Sequence, residues 1–120
     1  MPSTGYWQGK VVLVTGASAG LGAELARAWA AAGAKLILAA RGADALEVIA
    51  DELRAAGADV LPIPCDVTDP AQLEALAART MTAFGRIDLL VNNAGGYPPM
   101  PFLETDLASW QWCIRFNLES

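Results

Sequence analysis

The sequence contains no histidine and only two cysteines, Cys65 and Cys113, which lie far apart and form no C-x-x-C pair. Structural and catalytic zinc sites are built mainly from cysteine thiolates and histidine imidazoles, so we predict no metal site. Two isolated cysteines are typical of a reducing compartment. We therefore expect free thiols in a cytoplasmic protein, with Cys65 buried at the end of a strand.

Positive charge is also scarce, with 8 Lys and Arg against 13 Asp and Glu and a net charge of −5. Nucleic acids and anionic membranes attract basic surfaces, so neither is an expected partner. No apolar run is long enough to cross a bilayer. The hydrophobic content, by contrast, is 54% against 18% charged residues, which is enough to form a buried core. A length of 120 residues corresponds to one domain at most, or to part of one.

Four short apolar runs predict buried strands at residues 11–14, 35–40, 60–64 and 87–92. The clearest are continuously apolar, as in a parallel sheet covered on both faces. Between them, apolar residues recur every three or four positions, as in helices: Leu21, Leu25, Trp29 and Ala32; Leu46, Ile49 and Leu53; Leu73, Leu76, Thr80 and Phe84. A loop and a last helix near residues 106–118 follow. Right-handed crossovers turn this order into an α/β fold, an incomplete Rossmann-type doubly wound parallel sheet with strand order 3-2-1-4.

Glycine, proline and aspartate mark the expected helix ends. Gly33 and Gly57, each within an AAGA segment, are expected at helix C-caps. Asp69 is expected as the N-cap of the third helix, with Pro70 at its first position. Asp44 is expected as the N-cap of the second helix.

The stretch TGASAGLG at residues 15–22 joins the first predicted strand to the first predicted helix. Such a turn presents free backbone N–H groups and the positive end of a helix dipole, which suit a pyrophosphate. Its glycines allow the tight turn, the approach of the phosphates and the packing of the helix on the sheet. The alternative is an ordinary strand–helix turn. We predict that cofactor contacts come from Gly16, Ser18, Ala19, Gly20, Leu21 and Gly22.

The residues that follow this loop discriminate between nucleotide types. A P-loop needs Gly-Lys-Ser/Thr at the helix start, whereas this chain has Gly22-Ala23-Glu24. At the end of the second strand, an acidic residue would accept a hydrogen bond from the ribose 2′-hydroxyl of NAD, but the chain has Arg41 there. A guanidinium suits the 2′-phosphate of NADP, and Ser18 could add a hydrogen bond. We therefore predict NADP rather than NAD, unless Arg41 is simply a surface cation.

Four segments, TGASAGLG at 15–22, CDVTD at 65–69, NNAG at 92–95 and FNLES at 116–120, occur in the order typical of one enzyme family. Together they resemble the classical short-chain dehydrogenases/reductases from about Gly9 to Ser120. The resemblance implies a nicotinamide cofactor across the C-terminal ends of the strands and a small carbonyl or alcohol substrate. It also implies a homo-oligomer, because family members commonly form dimers or tetramers.

The resemblance also implies roles for individual residues. Asp66 would accept a hydrogen bond from the adenine amino group, unless it is only a turn residue, and Val67 would pack on the adenine ring. Asn117 matches the catalytic-site asparagine that orders a water in a proton relay. Asn92 and Asn93 would end the fourth strand and line the ribose side of the cofactor. The remaining cofactor-binding positions are Asn93, Ala94 and Gly95, the last two leaving room for the dinucleotide.

The sequence departs from the family in its catalytic tyrosine, lysine and serine. Tyr6 has Lys10 four residues later, but the pair precedes the first strand, and Tyr97 has Pro101 at that offset. In the family the catalytic residues come after the position corresponding to Ser120. The loop at 95–106 would border the substrate cleft, or would be a packed surface loop.

These observations lead to a hypothesis and two alternatives. The chain is expected to be the N-terminal part, residues 1–120, of one NAD(P)-binding domain of an NADP-dependent oxidoreductase. Without the catalytic half, it is expected to be inactive. The first alternative is a non-catalytic NADP(H)-binding module that pairs with another chain through the open edge of the fourth strand. The second, a flavodoxin-like module, fits the element order but neither the asparagines nor Arg41.

Overall fold

The computed structural model describes residues 5–94 together with residues 108 and 111. Strands and helices alternate along residues 5–94: β1 (Val11–Thr15), α1 (Gly20–Ala31), β2 (Lys35–Ala40), α2 (Ala43–Ala55), β3 (Val60–Pro64), α3 (Pro70–Phe84) and β4 (Leu89–Val91). All strands pair in parallel in one sheet of order β3-β2-β1-β4, which confirms the predicted topology. Residues 108 and 111 are helical, within the segment predicted as the last helix.

The two central strands form the core because their side chains are buried on both faces of the sheet. Alternate residues point to opposite sides, as the pleat of a strand requires. Val12, Val14 and Leu36 belong to a cluster that includes residues of α1 and α2. Val11, Leu13, Ile37 and Ile63 belong to a second cluster that includes Leu76 of α3. Within residues 5–94, the sheet therefore carries α1 and α2 on one face and α3 on the other. None of the helices in the described part of the chain is long and apolar enough to cross a membrane.

β4 is shorter than the predicted strand 87–92. At its start, the carboxylate of Asp88 accepts a hydrogen bond from the N–H of Val11 at 2.8 Å, and the Asp88 N–H donates to the Val11 carbonyl. At its end, the N–H of Asn93 turns back to the carbonyl of Val91 at 3.0 Å. Side-chain capping and this turn limit the strand to three residues.

The buried face of α1 differs from the predicted stripe. Leu21 is 66% exposed, whereas Gly22, Ala23 and Ala26 are buried against the sheet. Small residues allow the helix backbone to approach the strands closely, so large side chains are excluded from the middle of this contact. The spacing of Leu21, Leu25 and Trp29 thus predicts the helix but not which of its residues pack closest to the sheet.

The helix ends follow the predicted chemistry in all but one case. Gly33 and Gly57 directly follow the C-cap residues of α1 and α2 with φ of +89° and +95°, and both helices end in the paired hydrogen bonds of a Schellman motif. Asp69 caps α3 by accepting from the N–H of Ala71 at 3.0 Å. Asp44 is not an N-cap: Gly42 holds that position, and Asp44 lies in the first turn of α2.

Candidate functional site

A cleft of about 240 Å³ opens at the C-terminal ends of the strands. It lies where β1 is followed by the glycine loop and β2 by Arg41, which is where open parallel sheets bind ligands. Five of the predicted cofactor-binding residues line this cleft, together with Ala40, Gly42 and Cys65: Gly16, Ser18, Arg41, Val67 and Ala94.

The glycine loop is held close to the end of β4. Gly16 has φ of +63°, and a Cβ there would lie 3.1 Å from Ala94 Cα. A Cβ on Gly22 would lie 2.5 Å from the side-chain nitrogen of Asn93, which in turn donates to the Gly16 carbonyl at 3.3 Å. Only glycines allow this packing, so their spacing reflects steric constraint as well as loop length.

The N-terminus of α1 suits an anion better than the other two helices in residues 5–94. Its N-cap, Ala19, offers no side-chain hydrogen bond, and its first turn carries no acidic residue. By contrast, Asp69 caps α3, and the first turn of α2 contains Asp44. The first N–H groups of α1 have no partner within the helix, and the helix dipole adds positive potential there. These groups, at Gly20, Leu21 and Gly22, fit the pyrophosphate of a dinucleotide.

Thr15 joins the two halves of the site and is not among the predicted site residues. Its side chain is 4% exposed, and its hydroxyl accepts hydrogen bonds from the N–H groups of Asn93 and Ala94, both at 3.0 Å. The same hydroxyl donates to the carbonyl of Val91 at 3.3 Å. A hydroxyl at the end of a fully apolar strand needs such partners when buried, and this signal was available in the sequence.

Arg41 follows β2 directly and lies on the cleft with Ser18. The loop between β1 and α1 is fixed to this strand end because the N–H of Ala17 donates to the carbonyl of Ala39 at 3.2 Å. The guanidinium also contributes to lowering the pKa of Asp66. Arg41 therefore provides positive charge beside the loop, where a ribose 2′-substituent would lie in a dinucleotide complex.

Asp66 begins a tight turn between β3 and α3. Its Oδ1 accepts hydrogen bonds from the Thr68 hydroxyl at 2.7 Å and the Thr68 N–H at 2.9 Å. These bonds, the hydroxyl's first, and the charge of Arg41 lower the pKa of Asp66, so the carboxylate is ionised at neutral pH. Its neighbour Val67 is buried and lines the cleft. Asp66 is thus a turn residue, and the residues on either side of it, Cys65 and Val67, line the cleft.

Cys65 is a free, buried thiol at the end of β3, as predicted. Burial raises its pKa, and the negative charges of Asp66 and Asp69 raise it further. The thiol is therefore protonated at neutral pH and forms part of the cleft wall. Within the described residues, no group of His, Cys, Asp or Glu could hold a metal ion.

Tyr6 and Lys10 lie at the opposite end of the sheet, before β1. The ammonium of Lys10 lies 5.2 Å from the centre of the Tyr6 ring, and Tyr6 packs edge-on against Trp7. Trp7 in turn packs on Trp29 of α1 with ring centres 5.8 Å apart. Tyr6 and Lys10 therefore belong to an aromatic cluster at the end of the sheet opposite the cleft. The predicted site residues Gly95 and Asn117, with Tyr97 and the loop 95–106, lie outside the described residues.

The comparisons agree with this architecture. A family model described as short chain dehydrogenase matches residues 10–120. The chain is 42% identical over 112 residues to the 7alpha-hydroxysteroid dehydrogenase of Escherichia coli, covering 93% of this chain and 44% of that enzyme. It is 40% identical to a short-chain dehydrogenase/reductase from Burkholderia phymatum solved with NAD, with a TM-score of 0.88 over 93% of this chain and 40% of that one.

A metagenomic short-chain oxidoreductase solved with NADP is 38% identical, with a TM-score of 0.85, covering 93% of this chain and 51% of that one. The chain thus spans about half or less of each of these relatives. The strand order, the glycine loop and the family match lead to one conclusion: the chain belongs to the short-chain dehydrogenase family.

Proposed function

We propose that this chain provides the cofactor-binding half of an NADP-dependent oxidoreductase that transfers a hydride between nicotinamide and a small carbonyl or alcohol. The observation that carries the proposal is that the glycine loop, Arg41 and Val67 line the same cleft. The family match favours this function over a non-catalytic NADP(H)-binding module.

The preference for NADP rests on the position of Arg41. Related structures contain either NAD or NADP, so fold alone does not determine which cofactor is preferred. Arg41 occupies the cleft wall beside Ser18, and a guanidinium there pairs with a 2′-phosphate by charge-assisted hydrogen bonds. NAD lacks that phosphate and would gain nothing from this pair.

The chemical step requires residues besides those of the cleft. On this proposal, Asn117 orders a water in the proton relay, and residues beyond the segment 1–120 supply the tyrosine, lysine and serine. Residues 1–120 then form the N-terminal part of a single NAD(P)-binding domain and are inactive alone. When bound, the nicotinamide supplies or accepts the hydride, while this chain binds and orients the dinucleotide.

The same proposal includes a partner and a location. Within the described residues, β4 is an edge strand of the sheet, where the remainder of the domain or a complementing chain would add a strand. The complete protein is proposed to form a homo-oligomer. The free thiol of Cys65 fits the reducing cytoplasm.

The proposal is tested by titrating NADPH and NADH into the wild-type protein and into Arg41→Ala and Arg79→Ala variants, with calorimetric detection. Arg79 is an exposed arginine of α3, far along the chain from the glycine loop, and serves as the matched control. We expect Arg41→Ala to weaken NADPH binding by about 10-fold or more, the effect of one charge-assisted contact, and to leave NADH unchanged.

Equal losses of NADPH affinity in the Arg41→Ala and Arg79→Ala variants would overturn the assignment of Arg41 to the 2′-phosphate. Absence of saturable binding of either cofactor to the wild-type protein would overturn the function itself.

A further inference from the structure

The side chain of Gln72, in the first turn of α3, connects that helix to the end of β3. Its Oε1 accepts a hydrogen bond from the N–H of Asp66 at 2.7 Å. Its Nε2 donates to Oδ2 of Asp69 at 3.0 Å. One exposed amide thus spans the turn that contains Asp66, and both of its polar atoms are used.

This arrangement differs from an ordinary capping box, in which the side chain at the third helical position accepts from the N–H of the N-cap residue. Here the N-cap is Asp69, and its N–H donates instead to the carbonyl of Asp66 at 3.1 Å. Gln72 reaches three residues further back along the chain. Asp69 already caps the helix through Ala71, so the bond from Gln72 to Asp66 is not needed for capping.

The consequence is a fixed orientation for Asp66. Its backbone N–H is held by Gln72, and its Oδ1 is held by the hydroxyl and N–H of Thr68. Its Oδ2 accepts no hydrogen bond from the described residues, and the adjacent Val67 lines the cleft. The turn therefore holds the ionised carboxylate of Asp66 in a set position between Cys65 and Val67, two residues that line the cleft that would hold the adenine.

We propose that Gln72 is a positioning residue for adenine recognition, acting through the backbone of Asp66; this inference rests on the proposed function. An adenine amino group donates a hydrogen bond to a carboxylate oxygen. Hypoxanthine has a carbonyl at the same position, which would face the carboxylate with a second acceptor. Discrimination between the two bases therefore reports how well Asp66 is placed, and a role of Gln72 in stability alone would not change it.

The test compares the binding of NADPH and of its hypoxanthine analogue, reduced nicotinamide hypoxanthine dinucleotide phosphate. The proteins are the wild type, Gln72→Met and Glu74→Met, each as the full chain. Methionine keeps the length and helix propensity of glutamine but removes both hydrogen bonds. Glu74 is an exposed residue of the same helix and provides the matched control. Gln72→Ala, with the highest helix propensity, repeats the test with a smaller side chain.

We expect the wild type and Glu74→Met to prefer NADPH over the analogue by about 10-fold, the equivalent of one hydrogen bond to a charged group. Gln72→Met and Gln72→Ala should reduce that ratio to about 2-fold, chiefly by weakening NADPH binding. A ratio unchanged in both Gln72 variants, or an equal loss of affinity for both cofactors, would overturn the inference.

The failure of the proposed function gives a different result. A wild-type protein that binds neither cofactor contradicts cofactor binding as a whole. A wild-type protein that binds both equally contradicts the adenine contact of Asp66, and with it the role of Gln72. If the wild type binds NADPH and prefers it over the analogue, cofactor binding and the adenine contact of Asp66 both stand. The role of Gln72 is then contradicted only by the results for the Gln72 variants.

Discussion

A Cβ atom on Gly22 would lie 2.5 Å from the side-chain nitrogen of Asn93, and closer still to the carbonyl oxygen of Gly16. Asn93 itself donates to that carbonyl, so the first turn of α1, the glycine loop and the end of β4 meet without room for one more carbon atom. This contact fixes the distance between the helix N-terminus and the strand ends.

Gly22→Ala is therefore expected to destabilise the fold by about 1–3 kcal/mol, the usual effect of overpacking, and to weaken NADPH binding. Denaturant unfolding and cofactor titration measure the two effects. Gly57→Ala is the control, since Gly57 has φ of +95° and nothing within 4 Å of a Cβ. In Gly57→Ala, backbone strain should lower the free energy of unfolding by about 1–2 kcal/mol, while the NADPH affinity remains that of the wild type. Equal NADPH affinity in both variants would contradict the steric account.

Thr15→Val is expected to destabilise the protein by about 1–3 kcal/mol, because it removes the acceptor for the N–H of the half-buried Ala94 and leaves that donor without a protein partner. Thr15→Ser keeps the hydroxyl and should retain most of the stability. Thr80→Val is the matched control: Thr80 is fully buried, but its hydroxyl donates to the carbonyl of Leu76, so its removal strands no donor. Equal unfolding free energies for the two valine variants would refute the role of Thr15.

The stability of the fold should depend on the ionisation of Asp88. The side chain of Arg86 and the N–H of Val11 lower the pKa of Asp88, and the charge of Lys10 adds to the effect. A carboxyl whose folded-state pKa lies below its unfolded value stabilises the fold above the unfolded pKa, near 4. That stabilisation is lost as the pH falls through the folded-state value.

Thermal unfolding from pH 7 to pH 2 tests this dependence with Asp88→Asn. The Tm of the variant should lie below that of the wild type by a constant interval down to about pH 5. This interval in Tm should shrink below about pH 4. Asp59→Asn, which replaces an exposed aspartate directly before β3, should show no such change of interval. A pH-independent interval for Asp88→Asn would contradict the assignment.

The outer edge of β3 is blocked against strand addition. Asp59 and Cys65, at the two ends of β3, form backbone hydrogen bonds with β2. Because alternate residues of a parallel strand bond to the same neighbour, the residues between them at even positions point their backbone groups away from β2. These residues are Val60, Pro62 and Pro64. Both prolines lack an N–H, and Arg54 donates to the Val60 carbonyl at 3.1 Å.

Replacing Pro62 and Pro64 by valine together should restore two outward donors and produce concentration-dependent self-association relative to the wild type. Sedimentation velocity measures it. Pro70→Ala, which removes a proline from the first position of α3, should sediment as the wild type does. Identical sedimentation of all three proteins would contradict the role of the prolines.

The sequence predicted strands β2 and β3 and the helices well because their signals are local. β2 and β3 have the predicted bounds, since each is a continuous apolar run in a parallel sheet. The buried stripe of α2 at Leu46, Ile49 and Leu53 was also predicted correctly. The buried face of α1 consists of the small residues Gly22, Ala23 and Ala26, which the spacing of larger apolar residues does not identify.

The candidate site was predicted in part, for a comparable reason. Glycines and an arginine at fixed distances from strand ends indicate a dinucleotide site directly. Thr15 and Gln72 act through hydrogen bonds to residues 78 and 6 positions away, to Asn93 and Asp66, and no local pattern predicts such partners. The position of Asp44 inside α2, behind Gly42, depends likewise on backbone geometry.

The central claim is that the dinucleotide binds between the α1 N-terminus and the ends of β2 and β3. The most direct measurement is the backbone amide NMR spectrum of ¹⁵N-labelled protein, recorded with increasing NADPH. The claim predicts saturable shifts for Ser18, Gly20, Gly22 and Val67, with the resolved amides of Gly33, Gly57 and Gly85, at the other ends of the helices, unchanged. Shifts confined to the latter three glycines and to Trp7, or no shifts at all, would contradict it.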